Sequence, residues 1–204
     1  SGYSEAMRVA RGGFAVVHRA RQDRFNRLVA LKVLNVHDLD DRSRRRFERE
    51  CSAMGSLSWH PHVVAVHDSG IDDDGRPWLA MEYLDAGSLG DRLARGGPLS
   101  WDEALTIGVQ VSGALGAAHA SGVIHRDIKP SNLMLAESTG ADGNPHAVVK
   151  VLDLGLARVF EQRTSGDDSQ SPELTSAGQI MGTLDYMAPE QGSDSHQVDI
   201  RTDI

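Results

Sequence analysis

The segment His125-Arg126-Asp127-Ile128-Lys129-Pro130-Ser131-Asn132 gathers a carboxylate, an ammonium and an amide within a few residues of one another. A carboxylate there can take the proton of an incoming hydroxyl, and an oxygen ligand a little further along the same loop can hold a hard cation; moving a phosphoryl group onto a hydroxyl requires both. Asp153, directly behind the candidate strand Val149–Leu152, is a second carboxylate suited to such a cation. Lys32 sits among Val29, Ala30, Leu31 and Val33. A lone lysine is most often solvated, but these flanks argue for a buried strand with one functional exception.

The elements that must position these groups follow from hydrophobic period and turn signals. Met7–Ala10, Phe14–Ala20 and Arg27–Leu34 read as short antiparallel strands. Asp40–Leu57 places Phe47, Cys51, Met54 and Leu57 on one side at helical spacing. Strands are expected over Val63–Asp68 and Trp78–Tyr83, around the turn Asp72-Asp73-Asp74-Gly75. Beyond Asp85 the character becomes helical. Ser88–Ala94 is a short helix, and Ser100–Ala120 a longer one in which Ser100 and Glu103 form a capping box. Gly108, Gly113 and Gly116 weaken that helix by propensity and are read as close-contact positions. Leu133–Leu135 and Val148–Leu152 are strands around a polar loop, Glu137–His146. Residues 153–189 are long, polar and poor in period, which in a compact domain usually means function or disorder.

Composition narrows the partners. The chain has 204 residues, with 21 Lys and Arg against 29 Asp and Glu for a net charge of −8, so its field repels polyanions and nucleic acid is not an expected partner. Arg42, Arg44, Arg45, Arg46 and Arg49 alternate with Asp41, Glu48 and Glu50, the pattern of a solvated helix face. The single cysteine, Cys51, cannot form an internal disulfide and suits a reducing compartment. No run approaches the roughly 18 apolar residues that span a bilayer. The expectation is a soluble, cytoplasmic segment with any membrane anchor outside it.

Further segments share one pattern with the first. Asp153-Leu154-Gly155 follows a strand; Val29-Ala30-Leu31-Lys32 lies on one; Ala10-Arg11-Gly12-Gly13-Phe14-Ala15-Val16-Val17 joins two. His60-Pro61-His62-Val63-Val64 links a helix to a strand, and Gly182-Thr183-Leu184-Asp185-Tyr186-Met187-Ala188-Pro189-Glu190 closes the long polar stretch. Together they resemble H-R-D-x-K-P-x-N, D-F-G, V-A-I-K, G-x-G-x-x-G-x-V, H-P-x-[IV]-V and G-T-x-x-Y-[ML]-[AS]-P-E, the motifs of the protein kinase superfamily. The closest resemblance is to the bacterial eukaryotic-like (Hanks-type) Ser/Thr kinase catalytic domain, and it runs from about Tyr3 to the last residue.

That resemblance implies an α+β, bilobal fold. Residues 1–84 would form an N-lobe of five antiparallel strands and one helix, and residues 85–204 a mainly helical C-lobe. Val198–Asp203 is similar to the start of the central C-lobe helix, with Asp203 the buried anchor of the catalytic loop. The C-lobe is thus expected to be incomplete here, with apolar patches exposed along Ser100–Ala120.

The same resemblance implies the roles. Asp127 is the base, and Lys129, which contacts the transferred phosphate, marks Ser/Thr specificity; Asn132 and Asp153 hold Mg²⁺ or Mn²⁺ on the phosphates of ATP. Lys32 meets the α- and β-phosphates and is held by Glu50, while Gly12 and Gly13 cover them. Glu82 and Leu84 offer backbone groups to adenine beside Met81, walled by Val17, Ala30, Met134 and Leu152. Thr183 approaches Asp127 and Lys129. Ala10 and Ala15 stand where glycines are usual, which would reduce loop freedom.

Among Thr164, Ser165, Ser169, Ser171, Thr175 and Ser176, Thr175 is the expected regulatory acceptor, its phosphate pairing with Arg126. Protein Ser/Thr acceptors, and a second copy for autophosphorylation in trans, are the implied partners. Three other readings stay open, one of them an inactive truncated kinase fragment. An ATP-binding pseudokinase or scaffold would bind nucleotide without Asp127-dependent turnover, and a small-molecule phosphotransferase would be insensitive to competing peptide.

Overall fold

The computed structural model describes residues 2–12, 15–36, 39–139, 145–154, 185–193 and 198–204. Gly13, Gly155, Thr183 and the hydroxyls from Thr164 to Ser176 lie outside them. The chain forms two compact units, residues 1–59 with 64–85, and residues 60–63 with 86–204.

The first unit is built on one five-stranded sheet of order β1-β2-β3-β5-β4, from β1 (Tyr3–Arg11), β2 (Ala15–Gln22), β3 (Arg27–Leu34), β4 (Val66–Ile71) and β5 (Pro77–Glu82). All its pairings are antiparallel. The valines of β2 and β3 suit a pleated, half-buried surface. The helix α1 (Asp41–Ser56) starts at Asp40, whose carboxylate accepts the Ser43 N–H at 2.7 Å. Its Phe47, Cys51 and Met54 are buried, on the stripe that the helical period predicts.

Ala20, Val29 and Ala80 form a second cluster, with Tyr3, Leu31 and Trp78 packed on it. Tyr3 meets the Trp78 ring edge-on at 5.4 Å and donates to Asp68 at 3.0 Å. Burial, seconded by that carboxylate, pushes the Tyr3 hydroxyl up to about 12. Gly70 is required by contact, because a Cβ there would lie 2.8 Å from the Trp78 ring.

Two strand boundaries differ from the sequence reading. β1 begins at Tyr3 because Tyr3 and Ser4 pair with Gln22 and Arg21 across an irregularity at Glu5, whose φ is 50°. β4 is shifted to polar residues, pairing Asp68, Ser69 and Gly70 with β5, while Val63 bridges Val151 in the second unit. In both cases a neighbouring strand set the pairing against local composition.

The second unit holds α2 (Leu89–Gly96), α3 (Trp101–Ala120), the hairpin β6 (Leu133–Thr139) and β7 (Pro145–Val151), and α4 (Pro189–Ser193). Capping boxes Ser88/Asp91 and Ser100/Glu103 open α2 and α3. The hairpin reaches into the stretch read as a polar loop, since antiparallel pairing extends register beyond the apolar residues. Ala114, Leu115, Ala118, Val123, Leu133, Val149, Val151 and Leu154 are buried.

Trp101, Leu105 and Val109 of α3 are exposed. Among the described residues Gly108 and Gly116 are not contact positions: a Cβ at either would meet none of them within 4 Å, and one at Gly113 would reach the His60 ring at 3.9 Å. Residues Ile200–Asp203 form a 3-10 turn, capped by Asp199 accepting from the Arg201 N–H.

No described helix is long and apolar enough to cross a membrane.

Candidate active site

The loop 123–129, between α3 and the 3-10 turn Pro130–Asn132, carries no regular structure, so its shape is set by side chains from elsewhere. Asp203 does most of this. Its Oδ2 accepts the His125 N–H at 2.9 Å and its Oδ1 the Arg126 N–H at 2.7 Å. Asp203 Oδ2 in turn lies 2.7 Å from His119 Nε2 at the end of α3. Each of these buried backbone donors would be costly to leave unmatched.

Arg126 thereby holds φ at 70°, the left-handed region that a non-glycine residue enters only when its surroundings impose it. The His125 ring is fully buried, and burial holds its pKa below 6.5, so the ring is neutral. Its Nδ1 accepts the Asp127 N–H at 3.2 Å, which leaves the proton on Nε2 to be donated to the Leu152 carbonyl at 2.7 Å. One imidazole thus ties Asp127 to the residue preceding Asp153.

The Asp127 carboxylate is half-buried and bonded on both oxygens. Lys129 Nζ stands 2.9 Å from Oδ1 and 2.8 Å from Oδ2. Asn132 Nδ2 donates to Oδ2 at 2.9 Å and to the Asp127 carbonyl at 2.7 Å. The Asn132 carbonyl receives the Leu152 N–H at 2.9 Å, closing the loop onto the end of β7.

Asp153, next in the chain, has φ of 59° and a buried Oδ1. With its NH₂ committed to Asp127, the Asn132 side chain offers an oxygen. Amide and carboxylate oxygens are the donors that Mg²⁺ or Mn²⁺ prefers, so this set fits a hard divalent cation.

In the first unit, Lys32 is half-buried at the middle of β3, opposite Val17 and Leu79. Glu50 is half-buried on α1. The Gly12 N–H, just past β1, donates to the Ala15 carbonyl at the start of β2 at 2.8 Å. Ala10 and Ala15 lie in extended strands and neither has a positive φ, so a methyl replaces hydrogen there without backbone strain. Ala30 pairs with Met81, and Val29 with Glu82. The Glu82 carboxylate accepts the Ala65 N–H at 2.8 Å. Leu84 is half-buried just past β5. In the second unit, Met134 of β6 bridges Ser88.

The second unit brings Asp127, Lys129 and Asn132 into one hydrogen-bonded cluster, with Asp153 linked through Leu152. Sequence reasoning missed two participants. His119 carried no signal beyond its place in the last turn of α3. Gln191, directly after Pro189-Glu190, donates to the Arg126 carbonyl at 2.8 Å. The histidines His60 and His62 hold backbone: His60 Nδ1 accepts the His62 N–H at 3.2 Å, and His62 Nδ1 lies 3.0 Å from the Val149 carbonyl.

A family model described as protein kinase domain matches residues 3–204. The chain is 41% identical over 193 residues to the serine/threonine-protein kinase PknK of Mycobacterium tuberculosis, covering 93% of this chain and 15% of that protein. It is 41% identical over 198 residues to the serine/threonine-protein kinase pkn3 of Myxococcus xanthus (96% and 34%). With the serine/threonine-protein kinase PknB of Mycobacterium leprae the identity is 36% over 197 residues (95% and 29%). The chain therefore spans between 15% and 34% of the length of these relatives.

Proposed function

The chain belongs to the protein kinase family, and from that premise we propose that it transfers the γ-phosphate of ATP to Ser and Thr hydroxyls of proteins. The observation that carries this reading is the cluster at Asp127, with an ammonium on both of its oxygens and an amide on one. A carboxylate so held keeps its lone pairs aimed, and Lys129 would meet negative charge arriving beside it.

In the step proposed, the acceptor hydroxyl oxygen forms a bond to the γ-phosphorus as the bond from that phosphorus to the β-phosphate oxygen breaks. Asp127 takes the hydroxyl proton, and ADP leaves with the bridging oxygen. Lys129 balances charge on the phosphoryl oxygens. Asn132 and Asp153 are the residues that would hold Mg²⁺ or Mn²⁺, which when bound neutralises phosphate charge.

The first unit would supply the nucleotide contacts: Lys32, steadied by Glu50, on the α- and β-phosphates; Gly12 and Gly13 over them; Val17, Ala30, Glu82 and Leu84 around the base. Met134 would also contact the nucleotide. The names of the relatives, all Ser/Thr kinases, support the acceptor class, as does Lys129 two residues after Asp127. Thr183, outside the described residues, would approach this lysine and aspartate. Regulation by autophosphorylation at Thr175 belongs to the same proposal.

Transfer of labelled γ-phosphate from Mg·ATP to a Ser/Thr-rich protein is the test. Asp127→Asn should lower it by about 10³-fold, the scale of a lost general base, without loss of the folded state. Label appearing on the Asp127→Asn chain when it is mixed with the unmodified chain shows transfer in trans. Unchanged autophosphorylation and activity in Thr175→Ala removes that residue's regulatory role. Equal transfer by the Asp127→Asn chain overturns the whole reading, and nucleotide binding with no transfer by either chain selects the pseudokinase.

A further inference from the structure

Arg126 is clamped on both of its backbone polar atoms. Its N–H goes to Asp203 Oδ1 at 2.7 Å and its carbonyl receives Gln191 Nε2 at 2.8 Å. The second bond belongs to an amide whose other end is also in use, since Gln191 Oε1 accepts the Ala188 N–H at 3.0 Å. A single side chain therefore spans from the backbone of the turn before α4 to the peptide bond that joins Arg126 to Asp127.

That peptide bond is the sensitive one. The φ of 70° at Arg126 is not a conformation its own side chain favours, and the bonds on either side of it decide how Asp127 is aimed. Nearby, Glu190 is tied down by Thr202, whose hydroxyl donates to Glu190 Oε1 at 2.9 Å. Residues 188–191 thus reach the 3-10 turn through Glu190 and the catalytic loop through Gln191. Tyr186 and Met187, just before them, are exposed and apolar.

We infer that Gln191 is a positioning residue that couples the segment at Tyr186–Ala188 to the aim of the Asp127 carboxylate, acting through the Arg126 carbonyl. The inference rests on the reading of Asp127 as the base. Gln is suited to the task because it offers a donor and an acceptor on one rigid plane. Glu at this position keeps the acceptor for the Ala188 N–H but turns a carboxylate oxygen against the Arg126 carbonyl, and Met keeps the length with neither bond.

The experiment uses the full-length protein with a Ser/Thr acceptor peptide, comparing Gln191→Met and Gln191→Glu with the unmodified protein and Asp127→Asn. Both Gln191 variants are expected to lose about tenfold in kcat, the scale of one aimed hydrogen bond together with a misdirected base. Their KM for ATP and melting temperature should stay unchanged. The ratio of Gln191→Glu to unmodified activity should rise as pH falls, because a protonated carboxyl can donate to the Arg126 carbonyl and hydrogen bonding to the neutral form raises its pKa. Gln191→Met should show no such rise.

Unmodified kcat in both variants beside an inactive Asp127→Asn overturns the inference. So does a loss shared equally by KM for ATP or accompanied by a fall in melting temperature, which marks a merely structural residue, and so does a flat pH ratio in Gln191→Glu. Full activity in Asp127→Asn instead removes the base assignment beneath it.

Discussion

Strand β3 and the catalytic loop each present a functional candidate, Lys32 in one and Asp127 in the other, and they are held by opposite means. Lys32 sits on a strand whose neighbours in sequence, Val29, Ala30, Leu31 and Val33, place it through a period of two, with backbone pairing to β2 and β5 on either side. Asp127 has no periodic neighbours. Its loop is shaped by Asp203, by Gln191 and by the Leu152 carbonyl, all far along the chain. A strand position is thus a local property supported by many weak, redundant contacts, whereas the aim of Asp127 depends on a few long-range bonds.

The sharpest way to break this comparison is Asp203→Ala. It removes the acceptor of two buried N–H groups and the partner of His119, so a loss of about 3 kcal/mol in stability and most of the transfer activity is expected. Chemical denaturation and the phosphate-transfer assay read both. A near-normal transfer rate would mean that the loop holds its own shape, and the contrast with β3 would fall.

Gly70→Ala probes the redundant side. The added Cβ lies 2.8 Å from the Trp78 ring, which must shift, and the expected cost is about 1–2 kcal/mol by overpacking. Trp78 fluorescence and the melting temperature should change while the transfer rate at saturating ATP holds. A drop in rate as large as the one in Asp203→Ala would show the sheet to be no more tolerant than the loop.

The smallest effect is on pH. His125 is neutral when folded because burial lowers its pKa, while the unfolded ring titrates near 6.5. Below that value the unfolded chain binds a proton that the folded chain refuses, so stability is full above it and falls as pH falls, by at most about 1.4 kcal/mol per unit from this group. Melting temperatures between pH 5 and 8 should show this acid limb, shallower in His125→Phe. An identical limb in that variant would assign it to other groups.

The sheet of the first unit, helices α1 and α2, the capped start of α3 and the cluster at Asp127 were legible in the sequence because period, caps and motif spacing are local patterns. The misreadings share one cause. β1 was read too short and β4 out of place because a partner strand set their limits. Propensity marks Gly108 and Gly116 as contacts, although none of the described residues would meet a Cβ there within 4 Å. His119 and Gln191 carry no motif that spacing could reveal, because their partners lie 84 and 65 residues away.

The sequence by itself determined the chemistry at hand: which carboxylates, amide and ammonium are present, their order, and the periodic elements that carry Lys32 and Glu50. Only the tertiary structure decided how Asp127 is aimed. Left-handed backbone at Arg126 and Asp153 is unfavourable for those residues taken alone. At Arg126 it persists because the buried Asp203 carboxylate and the Gln191 amide bind it from distant points of the chain. A local pattern can encode a side chain's identity and the face it occupies, but a conformation held by long-range hydrogen bonds exists only once the chain has folded.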